Sequence, residues 1–120
     1  MKDSFVLPKS KAFAVRIVRL CQYLRDEKRE FVLSRQLLRC GTSIGANVHE
    51  AKYAQSTDDF ISKNSIALKE ASETEYWLEL LYETEYLTKA EYDSIAGDCG
   101  ELARLLTTIV KTTKENKNNC

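Results

Sequence analysis

The residue types able to do chemistry in this chain are few and badly placed for it. There is one histidine, His49, and there are four cysteines, Cys21, Cys40, Cys99 and Cys120. A di-iron centre built in a helical bundle draws on Glu-x-x-His motifs. Ala46 stands three residues before His49, so that site is excluded. A helical nuclease site that pairs arginine with a histidine on one helix would need Arg at 42–44, where Thr42, Ser43 and Ile44 stand. The cysteines form no Cys-x-x-Cys pair, and with a single histidine they make no zinc site. His49 is the sole candidate base for a Ser or Cys nucleophile, and nothing around it completes such an arrangement. The sequence thus predicts no catalytic residue, no metal and no cofactor, and a protein that is not an enzyme.

What stands out instead is the segment Ser43-Ile44-Gly45-Ala46-Asn47-Val48-His49-Glu50-Ala51. Gly41 and Gly45 lie within a helical pattern, where each glycine costs about 1 kcal/mol against alanine. The usual return is close backbone approach by a neighbour, and four-residue spacing puts both on one face. Ser43, Asn47 and Glu50 form a polar line beside the apolar Ile44, Val48 and Ala51. Two readings of that line stand. It is a half-buried seam that hydrogen-bonds to a neighbouring helix and sets register, or a site or subunit contact built on Asn47 and Glu50. The carboxylates Glu70, Glu73, Glu75, Glu79 and Glu83 read as a solvated or Lys/Arg-paired helix face. Glu75, between Ala71 and Leu78, is a candidate partner for Arg39.

Charge is unevenly spread. The chain of 120 residues has a formal net charge of zero, yet residues 1–40 carry ten Lys/Arg against four Asp/Glu, or +6. Residues 41–100 carry four against twelve, or −8, and residues 101–120 four against two, or +2. Either basic and acidic helices pair side by side, or a basic surface meets nucleic acid. The candidates for the second role are Arg16, Arg19, Arg25, Arg29, Arg35 and Arg39. A pI near 6.6 argues against strong non-specific binding by a monomer.

The elements that must position these residues are all helical. Apolar residues make up 43% and charged residues 30%, with four Gly and one Pro to interrupt helices. A first helix over about 9–28 follows Phe13, Ile17, Leu20 and Leu24, widened by Val15 and Val18, with Pro8 in its opening turn. The charged run Asp26–Glu30 reads as a connection. A second helix over about 32–54 follows Leu33, Leu37, Gly41 or Cys40, Ile44, Val48 and Ala51. A third over about 57–86, capped by Ser56 or Thr57, follows Phe60, Asn64, Ala67, Ala71, Thr74, Leu78 and Leu81. A fourth over about 88–114 opens on the capping box Thr88-Lys89-Ala90-Glu91 and follows Ile95, Leu102, Leu105, Leu106, Ile109 and Val110. The polar tail 115–120 is expected to fray. Short links between four amphipathic helices predict a single all-α domain over 1–120, an antiparallel up-down-up-down four-helix bundle. Cys21, Cys40 and Cys99 read as small core hydrophobes in a reducing compartment, and Cys120 as a free thiol. No segment reads as a signal peptide or a membrane span, so a cytoplasmic protein is expected.

The run Leu37-Leu38-Arg39-Cys40-Gly41-Thr42-Ser43-Ile44-Gly45-Ala46-Asn47-Val48-His49-Glu50-Ala51 resembles the signature of the bacterial four helix bundle protein family, whose founding members are encoded in intervening sequences of 23S rRNA genes. The runs Phe60–Ala71 and Glu73–Leu81 are similar as well, so the resemblance covers nearly the whole chain. Cys40 replaces a common Ser, and His49 lies at a variable position. The resemblance implies a four-helix bundle and a ring-like homopentamer. A related accessory protein of diversity-generating retroelements binds nucleic acid and a reverse transcriptase through a basic ring surface, which implies an RNA, DNA or protein partner here. Two functions from different classes follow: an oligomeric module that binds nucleic acid through its arginines, or a purely structural oligomer or protein adaptor.

Overall fold

The computed structural model describes residues 3–119. Four helices follow one another: α1 (Asp3–Asp26), α2 (Leu33–Lys52), α3 (Thr57–Glu83) and α4 (Lys89–Asn118). Each packs on the next, and α1 also meets α4, which closes an up-down-up-down bundle. The buried stripes are narrow and close to heptad spacing. On α1 they are Val6, Ser10, Phe13, Ile17, Cys21 and Leu24; on α2 Ser34, Leu37, Cys40, Gly41, Ile44, Val48 and Ala51. On α3 they are Asn64, Ala67, Ala71, Thr74, Leu78 and Leu81; on α4 Ile95, Cys99, Leu102, Leu106 and Ile109.

Several boundaries differ from the sequence reading. Helix α1 begins at Asp3, so Pro8 lies in its interior rather than its first turn. The missing proline N–H forfeits one backbone bond, but the added turn buries Val6, one heptad before Phe13. The Ser10 hydroxyl donates to the Leu7 carbonyl at 2.9 Å beside the break. At the other end, α4 runs to Asn118, and the expected frayed tail is helical through most of its length. Lys117 reaches Asp58 on α3, an ion pair that ties the last turn down. Cys120 lies outside the described residues. Val15 and Val18 do not widen the buried stripe; both are exposed on α1.

The α1–α2 connection is organised by Glu30, which the sequence reading placed in a plain charged run. Its side chain is buried against the start of α2. Its carboxylate accepts from the backbone N–H of Val32 (3.1 Å), Leu33 (2.9 Å) and Ser34 (2.7 Å). The Ser34 hydroxyl donates back to the Glu30 carbonyl at 2.9 Å. Three of the four orphan donors of the helix are thereby satisfied by one anion at the positive end of its dipole. Burial alone would push the carboxyl pKa up, but these backbone donors outweigh it and hold the group below 4.5. Helices α3 and α4 are capped by Ser56 and by the reciprocal Thr88–Glu91 box.

Glycine decides how closely α1 and α2 approach. A Cβ on Gly41 would stand 2.8 Å from Cγ1 and Cγ2 of the fully buried Ile17. A Cβ on Gly45 would stand 3.2 Å from the Ser10 carbonyl oxygen. Gly97 on α4, by contrast, faces open space, with nothing within 4 Å of its would-be Cβ.

Three outcomes are expected. Glu30→Ala should lower the unfolding free energy by about 2 kcal/mol at neutral pH, and Glu30→Gln by about 1 kcal/mol. Because the folded pKa is depressed, the contribution is complete above 4.5 and is lost as pH falls below that value towards the folded pKa. Urea denaturation of wild type and Glu30→Ala should therefore show a gap that narrows at pH 3 to 4. Gly41→Ala should cost about 1–2 kcal/mol, since overpacking Ile17 exceeds the gain of about 1 kcal/mol in helix propensity, whereas Gly97→Ala should gain up to about 1 kcal/mol. Burial pushes the Cys21 and Cys99 thiols up to about 12 and raises that of Cys40. A thiol reagent at pH 8 should therefore modify these three only as fast as the native bundle unfolds.

Candidate functional site

Helix α2 presents three flanks to three surroundings. Gly41 and Gly45 face α1. Arg39 and Glu50 reach α3, and Ser43 and Asn47 share that flank by helical spacing. Thr42, Ala46 and His49 line an open groove with Lys11 and Ala14 of α1.

The expected seam along Ser43, Asn47 and Glu50 is only partly a cross-helix device. The Asn47 amide donates back to the Ser43 carbonyl at 2.9 Å and to the Ser43 hydroxyl at 3.1 Å, so this pair bonds within α2 rather than to a neighbour. A short polar side chain one turn from a free hydroxyl finds its partner there without crossing the interface. Only Glu50 crosses, to Lys63 of α3 at 2.9 Å. That hydrogen bond raises the Lys63 pKa. Glu50 is exposed, which makes the pair a surface contact. His49 stands beside Tyr53, ring centroids 5.5 Å apart in an edge arrangement.

Arg39 does not meet Glu75. It lies 3.6 Å from Glu70 and pairs with Glu73. The reason is helical phase. Glu70 and Glu73 lie on the α2 side of the buried line Ala67, Ala71, Thr74, whereas Glu75 follows Thr74 on the α4 side and is exposed. Glu73 also accepts from the Trp77 indole N–H at 3.0 Å. That bond, more than the Arg39 charge, lowers its pKa against the opposing effect of burial. Glu70 Oε2 is buried without a hydrogen-bond donor among the described residues, and the Arg39 guanidinium lies 3.6 Å from it.

The six candidate arginines fall into two groups. Arg16 is engaged with α4: its guanidinium donates to Asp98 at 2.6 Å, to the Ser94 hydroxyl at 3.0 Å and to the Ser94 carbonyl at 3.3 Å. Arg39 is engaged with α3, as above. Among the described residues Arg19 bonds only to Gln22, at 3.4 Å. Arg25, Arg29 and Arg35 make no ion pair among the described residues, and all three are exposed. Around them lie aromatics that the sequence reading passed over. Lys28 Nζ sits 5.9 Å from the Tyr23 ring centroid, and the Arg29 guanidinium 5.9 Å from that of Phe31. Phe31 and Val32 are 48% and 71% exposed in the connection. Their signal was present as two apolar residues at a helix start, but periodicity alone assigns such residues to the core.

The buried thiols donate to backbone carbonyls: Cys21 to Ser34 at 3.3 Å and Cys99 to Ala71 at 3.5 Å. Among the described residues no three His, Cys, Asp or Glu side chains gather as metal ligands. No helix among them is long and apolar enough to cross a membrane.

Known proteins place this arrangement in a family. A crystal structure of a protein of unknown function from the S23 ribosomal protein family of Bacteroides thetaiotaomicron superposes with a TM-score of 0.91 at 59% identity, covering 92% of this chain and 99% of that one. No curated protein matches the chain. The profile described as 23S rRNA-intervening sequence protein matches residues 2–108, which include the whole α2 signature and both α3 runs. The chain therefore belongs to the 23S rRNA-intervening sequence protein family.

Proposed function

We propose that this protein is a non-enzymatic, cytoplasmic, homo-oligomeric module that holds nucleic acid through the cations of α1 and the α1–α2 connection. The observation that carries this reading is the division of the arginines. Intramolecular carboxylates engage Arg16 and Arg39, while Arg19, Arg25, Arg29 and Arg35 lie on the surface without an ion-pair partner among the described residues. Such cations are available to phosphates. A neutral chain holds nucleic acid weakly, so repetition in a ring supplies the concentration of charge that one copy lacks. The pentamer implied by the family resemblance is the assembly this reading favours. Exposed apolar side chains on α1 (Val15, Val18) and on α3 (Ile66, Tyr76) support copies meeting through those faces.

A second reading, a structural oligomer or protein adaptor without nucleic acid, is favoured by those same apolar residues and by the acidic surface of α3. Light scattering and gel shift separate the two. The expected outcome is an oligomer at micromolar concentration that retards RNA or DNA at 50 mM salt and releases it by 200 mM. Arg19→Glu with Arg25→Glu should abolish the shift and leave the thermal transition unchanged. An oligomer with no shift at low salt favours the adaptor, and a monomer excludes both.

A further inference from the structure

Cations and aromatics lie close together near the end of α1 and in the connection that follows it. Arg19 and Tyr23 are one turn apart and together line the groove between α1 and α4, with Leu20, Leu87 and Ala90. Lys28 lies over Tyr23, and Arg29 lies over Phe31 in the connection. Arg29 holds a left-handed backbone at φ 57°, a conformation costly for a side chain with a Cβ, and the turn it makes presents Phe31 and Val32 to solvent. The start of α2 is not itself an anion site, since Glu30 already occupies its backbone donors.

We propose that this strip, Arg19–Tyr23–Lys28–Arg29–Phe31, is a stacking platform for a single-stranded polynucleotide. The inference rests on the nucleic-acid reading above and narrows it. Charge alone makes a poor site here. Asp26 and Glu27 interrupt the cations, and Glu83, Glu85 and Glu91 share a hollow with Tyr23 and Lys28. A duplex, whose bases are stacked on each other, can use only the phosphate contacts, and these are diluted by the carboxylates. A single strand can also lay its bases on the exposed rings, a contact worth about a five- to hundredfold gain in affinity per base. Nothing in the strip selects for a 2′-hydroxyl, so RNA and DNA strands bind alike.

The test is fluorescence anisotropy at 50 mM salt with labelled 12-mers: oligo-U, oligo-dT and a mixed-sequence duplex. The full-length protein should bind both single strands at least tenfold more tightly than the duplex. Phe31→Ala and Tyr23→Ala should each weaken single-strand binding fivefold or more with little effect on the duplex, while Tyr53→Ala, an exposed aromatic at the end of α2, should change neither. Phe31→Leu should fail to restore binding, whereas Phe31→Trp should restore it. All three side chains are exposed, so circular dichroism and the thermal midpoint should stay as in wild type. Equal affinity for duplex and single strand, sensitive to Arg19→Glu but not to Phe31→Ala, overturns the platform and keeps nucleic-acid binding. Retention of neither strand nor duplex overturns both. An equal loss in Tyr53→Ala overturns the platform as well.

Discussion

The contact between α1 and α2 at Gly41 and Gly45 governs much of what else the molecule presents. With no Cβ in the way, Ile17 fills the space over Gly41 and the Ser10 backbone lies against Gly45. That approach fixes the rotation of α2 about its own axis. Once the glycines are turned to α1, the remaining flanks have no choice. Arg39, Ser43, Asn47 and Glu50 fall towards α3, and Thr42, Ala46 and His49 towards solvent. Glu30 completes the arrangement by anchoring the first turn of α2 with three backbone hydrogen bonds directly after α1 ends. The signature segment is thus a packing device whose polar members are satisfied locally or at the surface.

Charge follows from the same geometry. A chain of zero net charge could have paired every basic residue internally. It does so along the two flanks where a basic helix meets an acidic one: Lys9 and Arg16 of α1 meet Glu101 and Asp98 of α4, and Arg39 of α2 meets Glu70 and Glu73 of α3. These pairs are partly exposed, so each adds little stability and chiefly selects which flank faces which neighbour. Of the remaining cations, Arg19, Arg25, Lys28 and Arg29 lie late in α1 and in the connection, with Lys28 over Tyr23 and Arg29 over Phe31. Side-by-side pairing thus accounts for Arg16 and Arg39, while Arg19, Arg25, Arg29 and Arg35 lie exposed without an ion pair among the described residues.

How much of this was legible beforehand depends on the kind of question. Helix count, order and most buried positions could be read directly, because Phe13, Ile17, Ile44, Ala67, Ala71, Leu78 and Leu102 recur with the period of a helix and that period is a local property. The caps at Ser56 and Thr88 could be read for the same reason, since a cap involves residues three apart. Pro8 misled the start of α1, because burial of Val6 outweighs a missing backbone bond. The polar tail misled the end of α4, because Lys117 finds Asp58 in a different helix.

Sequence alone determined that four amphipathic helices form and that two glycines permit close packing, both from residue type and spacing along a single helix. Only the tertiary structure decided that Arg39 pairs with Glu70 and Glu73 instead of Glu75, that Glu30 is a cap and not a solvated charge, and that Asn47 bonds to Ser43 and not across the seam. The physical reason is rotation. A stripe of apolar residues says which side of a helix is buried, but the two flanks of that stripe are equivalent until a neighbour is placed against each. A one-residue step turns a side chain by about 100°, enough to carry a carboxylate from one neighbour to the other.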